Sequence, residues 1–95
     1  MKNNKTEAVK MRVAAVSSGP NAFGLWGHVL MTAKGELWEV ARSRGEWMGT
    51  SWARGTEIEV PLDANGHLVW AQVGAEIPRR LPDAPLAVVA EVWKS

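Results

Sequence analysis

From Ala8 to Val16 the chain alternates, with Val9, Met11 and Val13 on one side and Lys10 and Arg12 on the other. A period of two over this length predicts a half-buried strand. Ser17 to Asn21 then reads as loop by composition. His28–Thr32 and Glu36–Arg42 flank Ala33-Lys34-Gly35, and a three-residue loop ending in Gly suits a type I turn closed by a left-handed residue, a hairpin with a G1 bulge. The same grammar returns where Glu57–Leu62 and His67–Val73 flank Asp63-Ala64-Asn65-Gly66, with Asp63 able to cap its own turn. In this register Leu30 faces Trp38, and Val60 faces Trp70.

The two hairpins superpose at an offset of 31 residues, so that Val29, Ala33, Gly35 and Leu37 meet Val60, Ala64, Gly66 and Leu68. Two unrelated hairpins under the same turn rules would also show this, so duplication is not required. A helix competes for Glu36 to Arg44, where Leu37, Val40 and Ala41 have helical spacing, but the segment is short and Trp with Val favours strand. Gly49 to Gly55 is too rich in glycine for either element. Pro78, Pro82 and Pro85 predict an extended surface crossing. Leu86 to Trp93, apolar throughout except for Glu91, predicts a last strand buried on both faces.

These elements predict a mainly β chain: a small antiparallel barrel or two-layer sandwich of about five strands, with two G1-bulge hairpins. Residues 1–7 are polar and unpatterned and are expected to form a disordered arm before one domain over 8–95. A lone five-stranded sheet would leave one face of the last strand wet. The expectation is therefore a closed barrel, a second layer, or a homo-oligomer.

Composition narrows the classes of function. Hydrophobic residues at 46% and charged residues at 22% are ordinary for a globular chain, and a formal net charge of +1 is too balanced for a nucleic-acid-wrapping protein or an electrostatic membrane binder. With no cysteine, thiol catalysis, disulfides and cysteine-based zinc sites are excluded. Lys10 and Arg12 interrupt the one apolar run near the start, so no export signal or membrane association is expected, and the expected location is cytoplasmic.

Six tryptophans stand beside one Phe and no Tyr. Trp38, Trp70 and Trp93 fall on strand patterns, where core or subunit interface is the expected fate, and Trp26 is expected to fill the gap left by Gly24 and Gly27. Trp47 and Trp52 are different, because they lie with Arg42, Arg44 and Arg54 in a glycine-punctuated loop. Trp and Arg dominate interface hot spots, and basic residues interleaved with aromatics also suit stacked bases. Arg42, Arg44, Trp47, Trp52 and Arg54 are therefore the candidate ligand- or partner-binding residues, the competing expectation being that the loop folds back as a lid on the core.

Catalysis finds little footing. His28 and His67 lack metal-ligand spacing, and neither a metal site nor a cofactor motif is present. His67 is expected opposite Asp63 as a structural pair, and Glu57 and Glu59 as the wet side of a strand. Arg79-Arg80 and the lysines near the start add scattered positive charge. The reading is a non-enzymatic binding or assembly module, homo-oligomeric, with a protein or small ligand as its partner. One alternative is a single-stranded nucleic-acid-binding small barrel. A second is a ligand carrier or enzyme with an apolar cavity served by His28 or a buried Glu.

Overall fold

The computed structural model describes residues 7–20, 26–42 and 52–94. Strand β1 is Ala8–Pro20, β2 is Trp26–Thr32 and β3 is Leu37–Arg42. After β4, Glu57–Pro61, a 3-10 turn at Trp70–Val73 leads into β5, Ala75–Leu81, and helix α1, Leu86–Trp93. All five strands join one antiparallel sheet in the order β4-β1-β2-β3-β5.

The alternation of β1 decides which face is which. Met11 and Val13 are 1% and 0% exposed, and they share a core cluster with Leu30, Val40, Ile58, Val60 and Ala75. Every strand contributes to that cluster, so it lies on one face of the sheet. A bulge between Val13 and Ala15 then brings Val16 into register with His28. The strand continues past the expected loop at Ser17, and Pro20 still pairs with Trp26.

The first hairpin has the expected register, with Leu30 opposite Trp38. Gly35 takes φ +95° and donates its N–H to the Thr32 carbonyl at 3.0 Å, while Thr32 N–H bonds the Glu36 carbonyl at 2.9 Å. The second turn repeats this: Gly66 has φ +81°, its N–H reaches the Asp63 carbonyl at 3.0 Å, and Asp63 N–H reaches the His67 carbonyl at 2.9 Å. There the likeness stops. The returning arm makes a single bridge, Leu62 with Leu68, before winding into the 3-10 turn. The expected Val60–Trp70 pair is therefore not formed, and Val60 pairs with Val9 of β1. Winding puts Trp70 and Val73, three residues apart and so eclipsed, against the core, and brings the Trp70 ring within 5.4 Å of Trp38. Gly74, left-handed at φ 73°, ends the turn.

The 3-10 turn contacts both β4 and β5, the two ends of the strand order. Five flat strands would hold those ends about 19 Å apart at ~4.8 Å per step. Four residues of 3-10 helix span only about 8 Å. The sheet therefore curls, and the turn spans its seam. Among the described residues β4 and β5 do not pair with each other, so the sheet is an open, curled one rather than a closed barrel.

Two expectations in the last third are corrected. The first part of the proline-rich crossing, Pro78 to Leu81, belongs to a strand, and only Pro82 to Pro85 is left outside any element: β5 pairs with β3, with an irregularity between Glu39 and Ala41 that leaves Ile77 and Pro78 opposite Val40. Ile77 sits at φ 53° there, and Pro78 is tolerated because it falls at a bulge of an edge strand. Leu86–Trp93 is a helix, not a strand. A short apolar run has no periodicity to separate the two, and here it follows Pro85 with no glycine or β-sheet turn signal inside it. The helix lies on the outer face of the sheet, where the Arg12 guanidinium donates to the carbonyls of Val92 and Lys94 at 3.3 and 3.4 Å. The same group lies 4.7 Å from the Trp93 ring and 3.6 Å from a Glu57 oxygen. A cation at a helix C-terminus answers the dipole as well as the open carbonyls.

Two predictions follow from this docking. A Cβ at Gly35 would stand 3.1 Å from Val89 Cγ2 and 3.3 Å from the Ala84 carbonyl, at a φ that strains any side chain. Gly35→Ala is expected to cost about 1–3 kcal/mol in urea unfolding. Wild-type stability would contradict the close approach of α1. Arg12→Ala is expected to speed hydrogen exchange of the α1 amides while those of β2 and β3 keep their protection; equal loss across the sheet would show that Arg12 does more than hold the helix.

Candidate binding cleft

Period two along β3 places Trp38, Val40 and Arg42 on the inner face, and along β2 it places His28 with Leu30. Two polar side chains therefore end up at one end of the core face, His28 at 1% and Arg42 at 3% exposure. Trp52 covers them. Its ring meets His28 edge-on, 5.1 Å between centroids and 67° between planes, and the Arg42 guanidinium carbon lies 3.8 Å from its centroid. A desolvated cation over an indole contributes about 2 kcal/mol. Trp52 is itself half-buried and packs on the core cluster.

Beside this stack a cleft of roughly 490 Å³ opens at the seam of the sheet, lined by Arg42, Trp52, Ile58, Glu59, Val73 and Gly74 among others. One wall is the edge of β4 and the opposite wall is the 3-10 turn. Arg42 and Trp52, two of the five candidate residues, thus come together in one surface. Arg54 goes elsewhere: it is exposed beside Gly55, φ +89°, and lines a separate depression with Glu91 and Val92. Arg44 and Trp47 lie outside the described residues.

Arg79 and Arg80 are taken up by local pairs. Arg79 bonds Glu39 across the β3–β5 ladder. Arg80 bonds Asp83 at 2.7 Å and stands 5.8 Å from the Trp38 ring. Neither joins the cleft. Among the described residues no three His, Asp or Glu side chains gather as metal ligands, and no helix is long and apolar enough to cross a membrane.

Arg42 was expected in the loop, yet its inward direction is legible in the spacing of β3. Trp38, Val40 and Arg42 are in phase, as are His28 and Leu30, so the inward direction of Arg42 and His28 follows from the same alternation that identified the strands. The wall formed by Ala71 to Gly74 was missed, because it depends on the second hairpin aborting. Its one local signal is Gly74, directly after the arm expected over His67–Val73.

At the far turn, Asp63 and His67 approach only to 4.0 Å between Oδ2 and Nδ1, and both are exposed. The carboxylate instead accepts backbone N–H bonds from Asn65 at 2.8 Å and His67 at 2.9 Å. The His67 amide above all holds the Asp63 carboxyl below its ordinary value against the opposing effect of desolvation, with further help from the Asn65 and Gly66 amides and the nearby imidazole. Its charged form is favoured in the folded state. The contribution to stability is thus present above the ordinary Asp value, about 3.9, and is lost as pH falls through the lower native value. Carboxyl-carbon NMR of Asp63 should give a midpoint below that of an unfolded reference peptide, and an equal or higher midpoint would contradict the turn geometry.

Comparisons with protein-family models, with curated proteins and with solved structures find no match to this chain.

Proposed function

We propose that this chain is a non-catalytic binding module whose ligand seats in the seam cleft, against the Arg42–Trp52 stack. The observation that carries this reading is the convergence itself. Arg42 ends β3, and Trp52 returns after ten positions of chain to lie 3.8 Å from its guanidinium in the wall of a 490 Å³ cleft. Arg and Trp side chains in the wall of a cleft make the kind of anchor on which binding energy concentrates.

Glu57 and Glu59 border the same cleft. Two carboxylates at its border weigh against a polyanion and favour a peptide or a neutral or cationic small ligand over single-stranded nucleic acid. Self-association was expected from the Trp-rich pattern and from a last strand with two apolar faces. Trp38, Trp52 and Trp70 pack on the core, Trp93 lies under Arg12, and the last segment is a helix. Support for assembly comes instead from the apolar residues left exposed on α1, Leu86 at 83% and Val88 at 44%.

A panel of neutral and cationic fragments and short peptides, screened by amide-shift NMR, tests the cleft. Shifts are expected to cluster at Arg42, Trp52, Ile58, Val73 and Gly74, and Trp52→Ala should weaken the best binder about tenfold or more. Shifts gathered around α1 or the Asp63 turn, or binding untouched by Trp52→Ala, would overturn this assignment.

A further inference from the structure

One wall of the cleft is the edge of β4, whose main-chain groups turn alternately toward β1 and toward the seam. Leu62 N–H bonds the Glu7 carbonyl at 2.8 Å, and Val13 N–H bonds the Thr56 carbonyl at 3.0 Å. In an antiparallel ladder these bonds alternate along the strand. Thr56, Ile58, Val60 and Leu62 therefore turn their main-chain groups toward β1, and Glu57, Glu59 and Pro61 turn theirs outward, to the seam. The Pro61 carbonyl confirms the phase, since it accepts from Val69 N–H at 2.8 Å on that outer side. Below Pro61 none of the described residues pairs with the outward N–H and C=O groups of Glu57 and Glu59.

An unpaired strand edge is a template for another strand unless something guards it. The other edge of the sheet is guarded: β5 carries Pro78, a bulge and the adjacent Arg79 and Arg80. On β4 the returning arm covers Pro61 and Leu62 only. Among the described residues, Glu57 to Glu59 remains as a short open edge above the apolar lining supplied by Ile58, Trp52 and Val73.

The opposite edge of the same strand already shows what pairs there. β1 sets Lys10 beside Glu59 and Arg12 beside Glu57, with Val9, Met11 and Val13 directed into the core. A strand entering from the cleft would meet the same two carboxylates on its outer side and the same apolar layer on its inner side. We propose that the outward edge of β4 docks an extended peptide segment that alternates apolar with Lys or Arg side chains, adding to the sheet as a further strand. This deepens, and rests on, the reading of the cleft as a binding site. A second copy presenting its own β4 would set Glu against Glu, which destabilises a directly opposed pair. Glu57 is shared with Arg12 at 3.6 Å, so Glu59 is the carboxylate with most to offer an incoming cation.

The probe is a short blocked peptide alternating valine and lysine, with a valine–glutamate peptide as control, added to the full chain and followed by amide-shift NMR. The lysine peptide is expected to shift the Glu57 and Glu59 amides and to slow their hydrogen exchange, and the glutamate peptide is expected to leave both unchanged. Glu59→Pro removes an outward N–H that the β1 ladder does not use, and Glu59→Lys keeps the backbone but reverses the charge. Each should weaken the lysine peptide about tenfold, with the Trp38 and Trp70 indole signals reporting that the fold persists. No binding of the lysine peptide, equal binding of the glutamate peptide, or full binding by both variants would overturn the proposal. Should Trp52→Ala abolish binding while both Glu59 variants retain it, the edge falls and the cleft stands. If fragments also fail to find the cleft, the broader reading falls with it.

Discussion

The structure depends on the two-sidedness of β1. Met11 and Val13, essentially unexposed, face inward and anchor the core cluster, while Arg12 between them faces outward and holds the end of α1. The same strand pairs with β2 along one edge and β4 along the other, so both halves of the sheet are referred to its register. A one-residue slip would send Arg12 into the core and Met11 to the helix, and both layers would be lost together.

Curling of the sheet follows from the size of what it must cover. One small apolar cluster cannot fill a flat five-stranded face, and the 3-10 turn closes the gap by touching both end strands. Because that turn is only four residues long, it seals the upper part of the seam and leaves the cleft below it. The opening is thus a consequence of how the core is capped. Its polar character comes from the same source, since the strand phase that builds the core carries Arg42 inward at the end of β3 and leaves the Glu57 and Glu59 backbone groups turned outward from β4.

Helix α1 answers the difficulty that a single sheet has two faces. Met31 shares a cross-strand row with Arg12 and Leu37 on the outer side, yet it is 1% exposed. The cover over this row is short and is secured by one guanidinium, the close approach at Gly35 and the bond from Ala84 N–H to the Gly35 carbonyl at 2.9 Å. With this second layer in place, the sheet does not require a partner subunit to protect that row.

Local pattern by itself determined the first four strands in outline, both turns, and the phase that directs Met11 and Val13 to one side and sets Leu30 opposite Trp38. These are properties of neighbouring residues: period two, and glycines where the backbone needs positive φ. It also marked Arg42 and Trp52 as belonging to one site, though Arg54 went with them and the structure separates it. Tertiary structure alone decided the fate of the last third. Whether His67–Val73 pairs or winds depends on where the core still needs Trp70. Whether Pro78 to Leu81 merely crosses the surface or pairs depends on the free edge of β3, and Pro78 is acceptable only because that position is a bulge on an edge. Leu86–Trp93 satisfies its backbone internally as a helix and finds on the outer face an arginine, a glycine and an uncovered apolar row. Each of these choices is made by partners far away in the chain, and no local pattern carries them.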